Sequence, residues 1–140
     1  RGLERDGQWR FTPPTHGVLA LSAALDELRA EGGVGARRRR CAALCAQLRR
    51  GMGDLGFVPL LDAAVQAPVI VTFRMPSPSM GFDFDDFYTG LAARGYLIYP
   101  GKLTAVPSFR VGCIGHLFEA DMRGFLEAAR EVLAQMGVVL

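Results

Sequence analysis

Arg110 is the residue whose type and setting most invite chemistry. It stands inside the apolar run Ser108-Phe109-Arg110-Val111-Gly112. A charged side chain in such a run needs a partner or an exit to water. A guanidinium fork pairs with carboxylate or phosphonate oxygens in two-point geometry. An internal ion pair with one of the chain's 14 acidic residues would serve equally well. The second candidate is Phe11-Thr12-Pro13-Pro14-Thr15-His16, placed just before a helical pattern. Two hydroxyls and free backbone N–H groups at a helix start can hold an anion such as phosphate. Capping by Thr15 accounts for one of the two threonines, Thr12 and Thr15, but not for both. Lys102 is the only lysine and so invites amine chemistry. Nothing around it, just after a Pro-Gly turn, would desolvate it, so it reads as structural.

Other chemistries find little support. His16 and His116 read as surface or loop residues, and no HExxH, CxxC or Walker sequence is present, so no metal site is expected. Cys41 and Cys45 are four residues apart on a helical pattern without further ligands, and read as small buried side chains. With Cys113 they make an odd count that fits reduced thiols and a cytoplasmic setting.

The elements that would position these residues follow from periodicity. Pro13-Pro14 enforces an extended stretch, and Val18, Leu21, Leu25 and Leu28 then recur at helical spacing until Gly32-Gly33. A second helix is expected from about Ala36 to Leu55, with Cys41, Leu44, Cys45, Leu48, Met52 and Leu55 inward and Gly56 as its stop. Arg37 to Arg40 put positive charge at the wrong end of that helix for its dipole, and read as a solvated face. Strands are expected at Phe57–Leu61, Val69–Phe73, Tyr96–Tyr99 and Ser108–Ile114, with Pro100-Gly101 central in a type II turn. Asp83 should cap a helix running to Gly95, with Phe84, Phe87, Tyr88 and Leu91 inward. A last helix, Glu119 to Met136, should turn Met122, Phe125, Leu126, Ala129, Val132, Leu133 and Met136 inward. The order α, α, β, β, α, β, β, α predicts an α+β fold with helices packed on a small mixed or antiparallel sheet.

At 140 residues and 50% apolar, the chain can bury an ordinary core. Its net charge of +2 gives no nucleic-acid footprint, and no apolar run is long enough to cross a membrane. It begins at Arg1 without an initiator Met or a leader-like apolar stretch, and reads as part of a longer chain.

In order, Phe11-Thr12-Pro13-Pro14-Thr15-His16, Gly95-Tyr96-Leu97-Ile98-Tyr99-Pro100-Gly101-Lys102, and Phe109-Arg110-Val111-Gly112 with Ile114-Gly115 resemble fold type I aminotransferases of the alanine–glyoxylate and phosphonate branch. Their YPGK and FRIGNIG signatures are the nearest likeness, and the match spreads over nearly the whole chain. The resemblance implies a C-terminal small domain at 16–140, preceded at 1–15 by the end of the large-domain region with the cofactor-phosphate segment. It implies pyridoxal 5'-phosphate as cofactor, a homodimer, 2-aminoethylphosphonate as amino donor and pyruvate as acceptor. An alanine–glyoxylate or serine–pyruvate type of transaminase, or a non-catalytic domain, are the alternatives. Carried over, Arg110 would clamp the substrate's acid group, while Thr12 and less strongly Thr15 would reach the cofactor phosphate of the neighbouring subunit. The lysine that holds the cofactor aldehyde would lie upstream of Arg1. No catalytic residue would then lie in this chain, and the chain alone would be inactive. Cys113 stands where the family has Asn, and His116 where an acid is common. Both flank Arg110 in sequence and are candidates for altering substrate choice.

Overall fold

The structure is a computed structural model that describes residues 2–9, 11–101 and 106–140. It divides into two compact units, residues 1–37 and 38–140.

The first unit holds α1 (Gly2–Asp6), α2 (Thr15–Ala30) and the start of α3 (Gly33–Asp54). The short α1 was not expected. Thr15 is the first residue of α2, not its cap: Pro14 takes the cap position and makes no side-chain cap bond. The Thr15 N–H is already taken by the Pro13 carbonyl at 2.8 Å. Gly32 and Gly33 both have positive φ, which ends α2 as expected. The apolar residues of α2 form no core of their own. Val18, Leu21 and Leu25 are exposed and Leu28 is half-buried.

In the second unit the rest of α3 is followed by β1 (Ile70–Arg74), a 3₁₀ turn (Pro78–Met80), α4 (Phe84–Ala92), β2 (Tyr99–Pro100), β3 (Ser108–Gly112) and α5 (Glu119–Met136). The three strands form an antiparallel sheet in the order β1-β3-β2. Helix α3 buries Cys41, Leu44, Cys45, Leu48 and Met52, the stripe expected from its spacing, and Leu55 packs against the core. At its end Gly56 adopts φ +92°, and the Phe57 N–H reaches back to the Met52 carbonyl at 2.9 Å. Asp83 caps α4, its Oδ1 accepting from the N–H groups of Asp85 at 2.9 Å and Asp86 at 3.0 Å. In α5, Asp121 reaches back to the Phe118 N–H at 2.8 Å, and the expected inward residues are buried or packed on the core, with Ala128 added.

Two expected strands are much reduced. Along Phe57–Leu61 only an isolated bridge, Pro59 to Phe73, forms. Pro59 has no N–H to extend the ladder, so pairing is limited to Leu60 N–H to Thr72 and Arg74 N–H to Val58, each at 2.8 Å. Tyr96–Tyr99 narrows to β2, whose second residue is again a proline.

The sheet's core face joins Phe73 and Phe109, opposite one another in the β1–β3 register, to Phe57, Phe82 and Phe87. Phe57 lies centrally, with ring centroids 5.3 Å from Phe109, 5.5 Å from Phe87 and 5.7 Å from Phe82. Removing it leaves a cavity that rings from β1, β3, α4 and the loop before α4 would have to fill. We expect Phe57→Ala to lower the chain's stability by about 3–5 kcal/mol, whereas Leu25→Ala on exposed α2 should change it by less than about 0.5 kcal/mol. Urea titrations followed by circular dichroism measure both.

Candidate functional site

β3 is the central strand, so its two faces see different surroundings. Phe109 and Val111 point into the core, and Cys113 just beyond the strand is fully buried on the same side. Ser108 and Arg110 take the opposite face. Arg110 lies between two cross-strand neighbours, Thr72 on β1 and Tyr99 on β2. Thr72 is half-buried and Tyr99 is exposed, so this face carries hydroxyl, guanidinium and phenol in one row.

Arg110 forms no ion pair among the described residues. The salt bridges on this unit lie elsewhere, at Arg94–Glu131 (3.1 Å) and Arg123–Glu119 (3.9 Å). The internal ion pair that the sequence left open is therefore not made among these residues. The single hydrogen bond of the guanidinium among the described residues runs from Nη2 to the Pro100 carbonyl, at a long 3.4 Å. Nε is buried and has no partner among the described residues. A buried N–H without an acceptor costs about 1–3 kcal/mol, more when it is charged, so it calls for a function. Nε and Nη2 together form the edge of the guanidinium that grips two oxygens at once.

Beside Arg110 lies a residue that sequence reasoning passed over. Ser108 is only 5% exposed, and its Oγ also has no hydrogen-bond partner among the described residues. Its one legible signal was its place two residues from Arg110, on the same strand face. The Gly101 N–H donates to the Ser108 carbonyl at 2.7 Å, prolonging the β2–β3 pairing. Gly101 does not adopt the positive φ that a type II turn requires of it, so that expectation fails. Glycine is needed here for another reason: a Cβ would collide with the hydroxyl and carbonyl of Ser108. Lys102 falls outside the described residues.

Thr12 and Thr15 belong to the first unit. Both are exposed, and neither side chain forms a hydrogen bond among the described residues. Because Pro14 holds the cap position, the Thr15 hydroxyl is not consumed by capping. His16 is exposed on the first turn of α2. The arginine run is divided among tasks. Arg37 pairs with Glu31 at 2.6 Å. Arg40 donates to the carbonyls of Gly115 at 3.0 Å and Leu117 at 2.6 Å and lies over the Phe118 ring.

Cys113 and His116 do not share the surroundings of Arg110. The Cys113 side chain faces Cys45 inside the core, and burial pushes its thiol up to about 12, with the neighbouring thiols adding to the shift. Burial also raises the Cys45 thiol, against the lowering effect of Cys113 and Arg49. His116 is exposed and packs edge-on to Phe118 at 4.9 Å. A cleft of about 470 Å³ opens next to Tyr99, between Gly95–Ile98 and α5. Its walls are mostly apolar, with Tyr96, Tyr99 and Asp121 as the polar side chains, and Asp121 is engaged with the Phe118 N–H.

No family model matches the chain. Among solved structures it resembles aspartate aminotransferase of subgroup IV from Thermus thermophilus, with TM-score 0.75 and 24% identity over 96% of this chain and 37% of that one. It also resembles ureidoglycine–glyoxylate aminotransferase from Bacillus subtilis, with TM-score 0.69 and 22% identity over 80% of this chain and 29% of that one. The α+β fold is that of the C-terminal portion of fold type I aminotransferases. By sequence the chain is 51% identical over 137 residues to a 2-aminoethylphosphonate–pyruvate transaminase of Pseudomonas fluorescens, strain Pf0-1, covering 98% of the chain and 37% of the relative. It is 50% identical over 138 residues to the transaminase of the same name from Burkholderia ambifaria, covering 99% and 37%. The chain is thus homologous, over nearly its whole length, to part of the 2-aminoethylphosphonate–pyruvate transaminases, and it spans little more than a third of their length.

The raised thiol of Cys113 has a consequence for stability. The unfolded thiol loses its proton near 9, while the folded one keeps it up to about 12. Between these values the unfolded state binds fewer protons, so stability falls as pH rises. We expect urea midpoints to drop as pH rises from about 9 towards about 12, and Cys113→Ala to flatten that drop.

Proposed function

We propose that the whole protein is a pyridoxal-phosphate-dependent transaminase that moves the amino group of 2-aminoethylphosphonate to pyruvate, giving phosphonoacetaldehyde and alanine in phosphonate catabolism. This chain contributes the group that grips the substrate's acid end. The observation that carries the proposal is the buried Nε of Arg110, without a partner among the described residues, with the hydroxyl-bearing Thr72 and Tyr99 as its direct cross-strand neighbours. An oxyanion laid against the Nε–Nη2 edge meets the missing acceptor, and holds the amino end of the substrate at a fixed distance from the sheet.

The residues at the start of α2 suit a phosphate. Thr12 and Thr15 offer two uncommitted hydroxyls at a helix N-terminus, where the dipole favours an anion. In a homodimer they would hold the cofactor phosphate of the neighbouring subunit, Thr12 being the stronger candidate. Residues 1–15 then close the large-domain region and 16–140 form the small domain. The exposed apolar residues Val18, Leu21 and Leu25 suit a helix covered in a larger assembly. When bound, the cofactor supplies the carbonyl that accepts the amino group and the ring that withdraws electrons from the bond being broken. The lysine that holds it would come from the part of the whole protein outside this chain. Among the described residues no helix is long and apolar enough to cross a membrane. The three thiols, all free and buried, fit the reducing cytoplasm.

In the whole protein, Arg110→Ala should lower kcat/KM for 2-aminoethylphosphonate about 10- to 100-fold, the worth of a charge-assisted hydrogen bond. Normal turnover by that variant would remove Arg110 from the site. Competition among 2-aminoethylphosphonate, alanine and serine as amino donors separates this activity from the alanine–glyoxylate and serine–pyruvate types. Thr12→Val should weaken cofactor retention by about tenfold, read as absorbance lost on dialysis, and Thr15→Val by less.

A further inference from the structure

Arg110 Nε is not alone in lacking an acceptor among the described residues. The Ser108 hydroxyl, on the same face of β3, is buried and also without a partner among these residues. The two converge on one peptide. Arg110 Nη2 reaches the Pro100 carbonyl, the acceptor side of the Pro100–Gly101 peptide. Ser108 lies against Gly101 on its other side, so closely that only a glycine fits there. The guanidinium therefore leans along β3 towards the Ser108 end of the strand. Two orphaned donors thus border the same peptide, and one long hydrogen bond, from Arg110 Nη2, is all that this peptide accepts from their side chains.

We propose that Ser108 is a specificity-determining residue of the acid-group site, resting on the role of Arg110 proposed above, and that it selects a tetrahedral phosphonate over a planar carboxylate. A carboxylate has two oxygens, and the Nε–Nη2 edge of Arg110 takes both. A phosphonate has a third oxygen, which the Ser108 hydroxyl takes. The Pro100–Gly101 peptide holds the place of the anion and gives way to it, because an oxyanion is a stronger acceptor than the Pro100 carbonyl. No bond is made or broken in this step, and no proton leaves either residue. A site built to hydrogen-bond a group discriminates against a ligand that lacks it, since the donor is then left unpaired.

The test uses the whole transaminase with two unreactive probes, ethylphosphonate and propionate, as competitive inhibitors of the amino donor. Ser108→Ala should weaken ethylphosphonate about tenfold and leave propionate within about twofold. KM for 2-aminoethylphosphonate should rise while kcat stays within about threefold. Ser108→Cys, nearly isosteric but a weak donor, should shift the ratio the same way and serves if the alanine variant does not fold. An equal change for both probes, or no change for either, in the variant that folds would overturn the role of Ser108. Arg110→Ala separates the two levels. If it weakens both probes while Ser108 leaves their ratio unmoved, only the inference about Ser108 fails. If Arg110→Ala weakens neither, the acid-group site itself is elsewhere.

Discussion

The alternation of β3 is the constraint on which the rest of the second unit depends. Phe109, Val111 and Cys113 must be apolar to meet α3, α4 and α5, and the same pleat sends Ser108 and Arg110 to the other face. A slip of one residue would bury a guanidinium among phenylalanines and expose Phe109 to water. That penalty fixes the register, and the register sets Thr72 and Tyr99 beside Arg110. The aromatic cluster and the anion-gripping row are therefore two faces of one strand. What stabilises the first also aims the second.

Much of this was legible because it depends on local periodicity. The stripe of α3 from Cys41 to Met52, the Asp83 cap and the inward face of α5 follow from spacing and capping chemistry that require no knowledge of the partner surface. The reduced strands were not legible in the same way. Phe57–Leu61 and Tyr96–Tyr99 have the composition of strands, but Pro59 and Pro100 withhold the N–H groups that would extend pairing. In α2 the spacing of Val18, Leu21 and Leu25 identified a helix correctly and said nothing about what covers it. Periodicity marks a face; only a packed neighbour makes that face a core.

The candidate site was half legible. Arg110 stood out because a charge in an apolar strand demands an explanation, and the absence of an ion pair among the described residues sharpened that demand. Ser108 did not stand out, since a serine at a strand start is unremarkable until its hydroxyl is found buried without a partner among the described residues. The Thr15 expectation failed for a backbone reason. Two successive prolines shift the helix start by one residue, so the threonine that would have capped α2 becomes its first member and keeps its hydroxyl uncommitted.

The same pleat decides what the departures at Cys113 and His116 mean. Both lie close to Arg110 in sequence, which made them candidates for altering substrate choice. Cys113, however, follows the odd-numbered face into the core against Cys45, while its backbone N–H continues the pairing with β1 by donating to Val69 at 2.8 Å. An asparagine at that position would carry a polar amide into the core beside α3 and would need partners there, which a small thiol does not. Cys113 is thus matched to its packing neighbour Cys45 more directly than to any ligand on the Arg110 face. His116 lies in the loop whose carbonyls at Gly115 and Leu117 are clamped by Arg40, and packs on Phe118 of that same loop. The physical argument for substrate choice therefore moves away from these two positions, to the donors that share the pleat with Arg110.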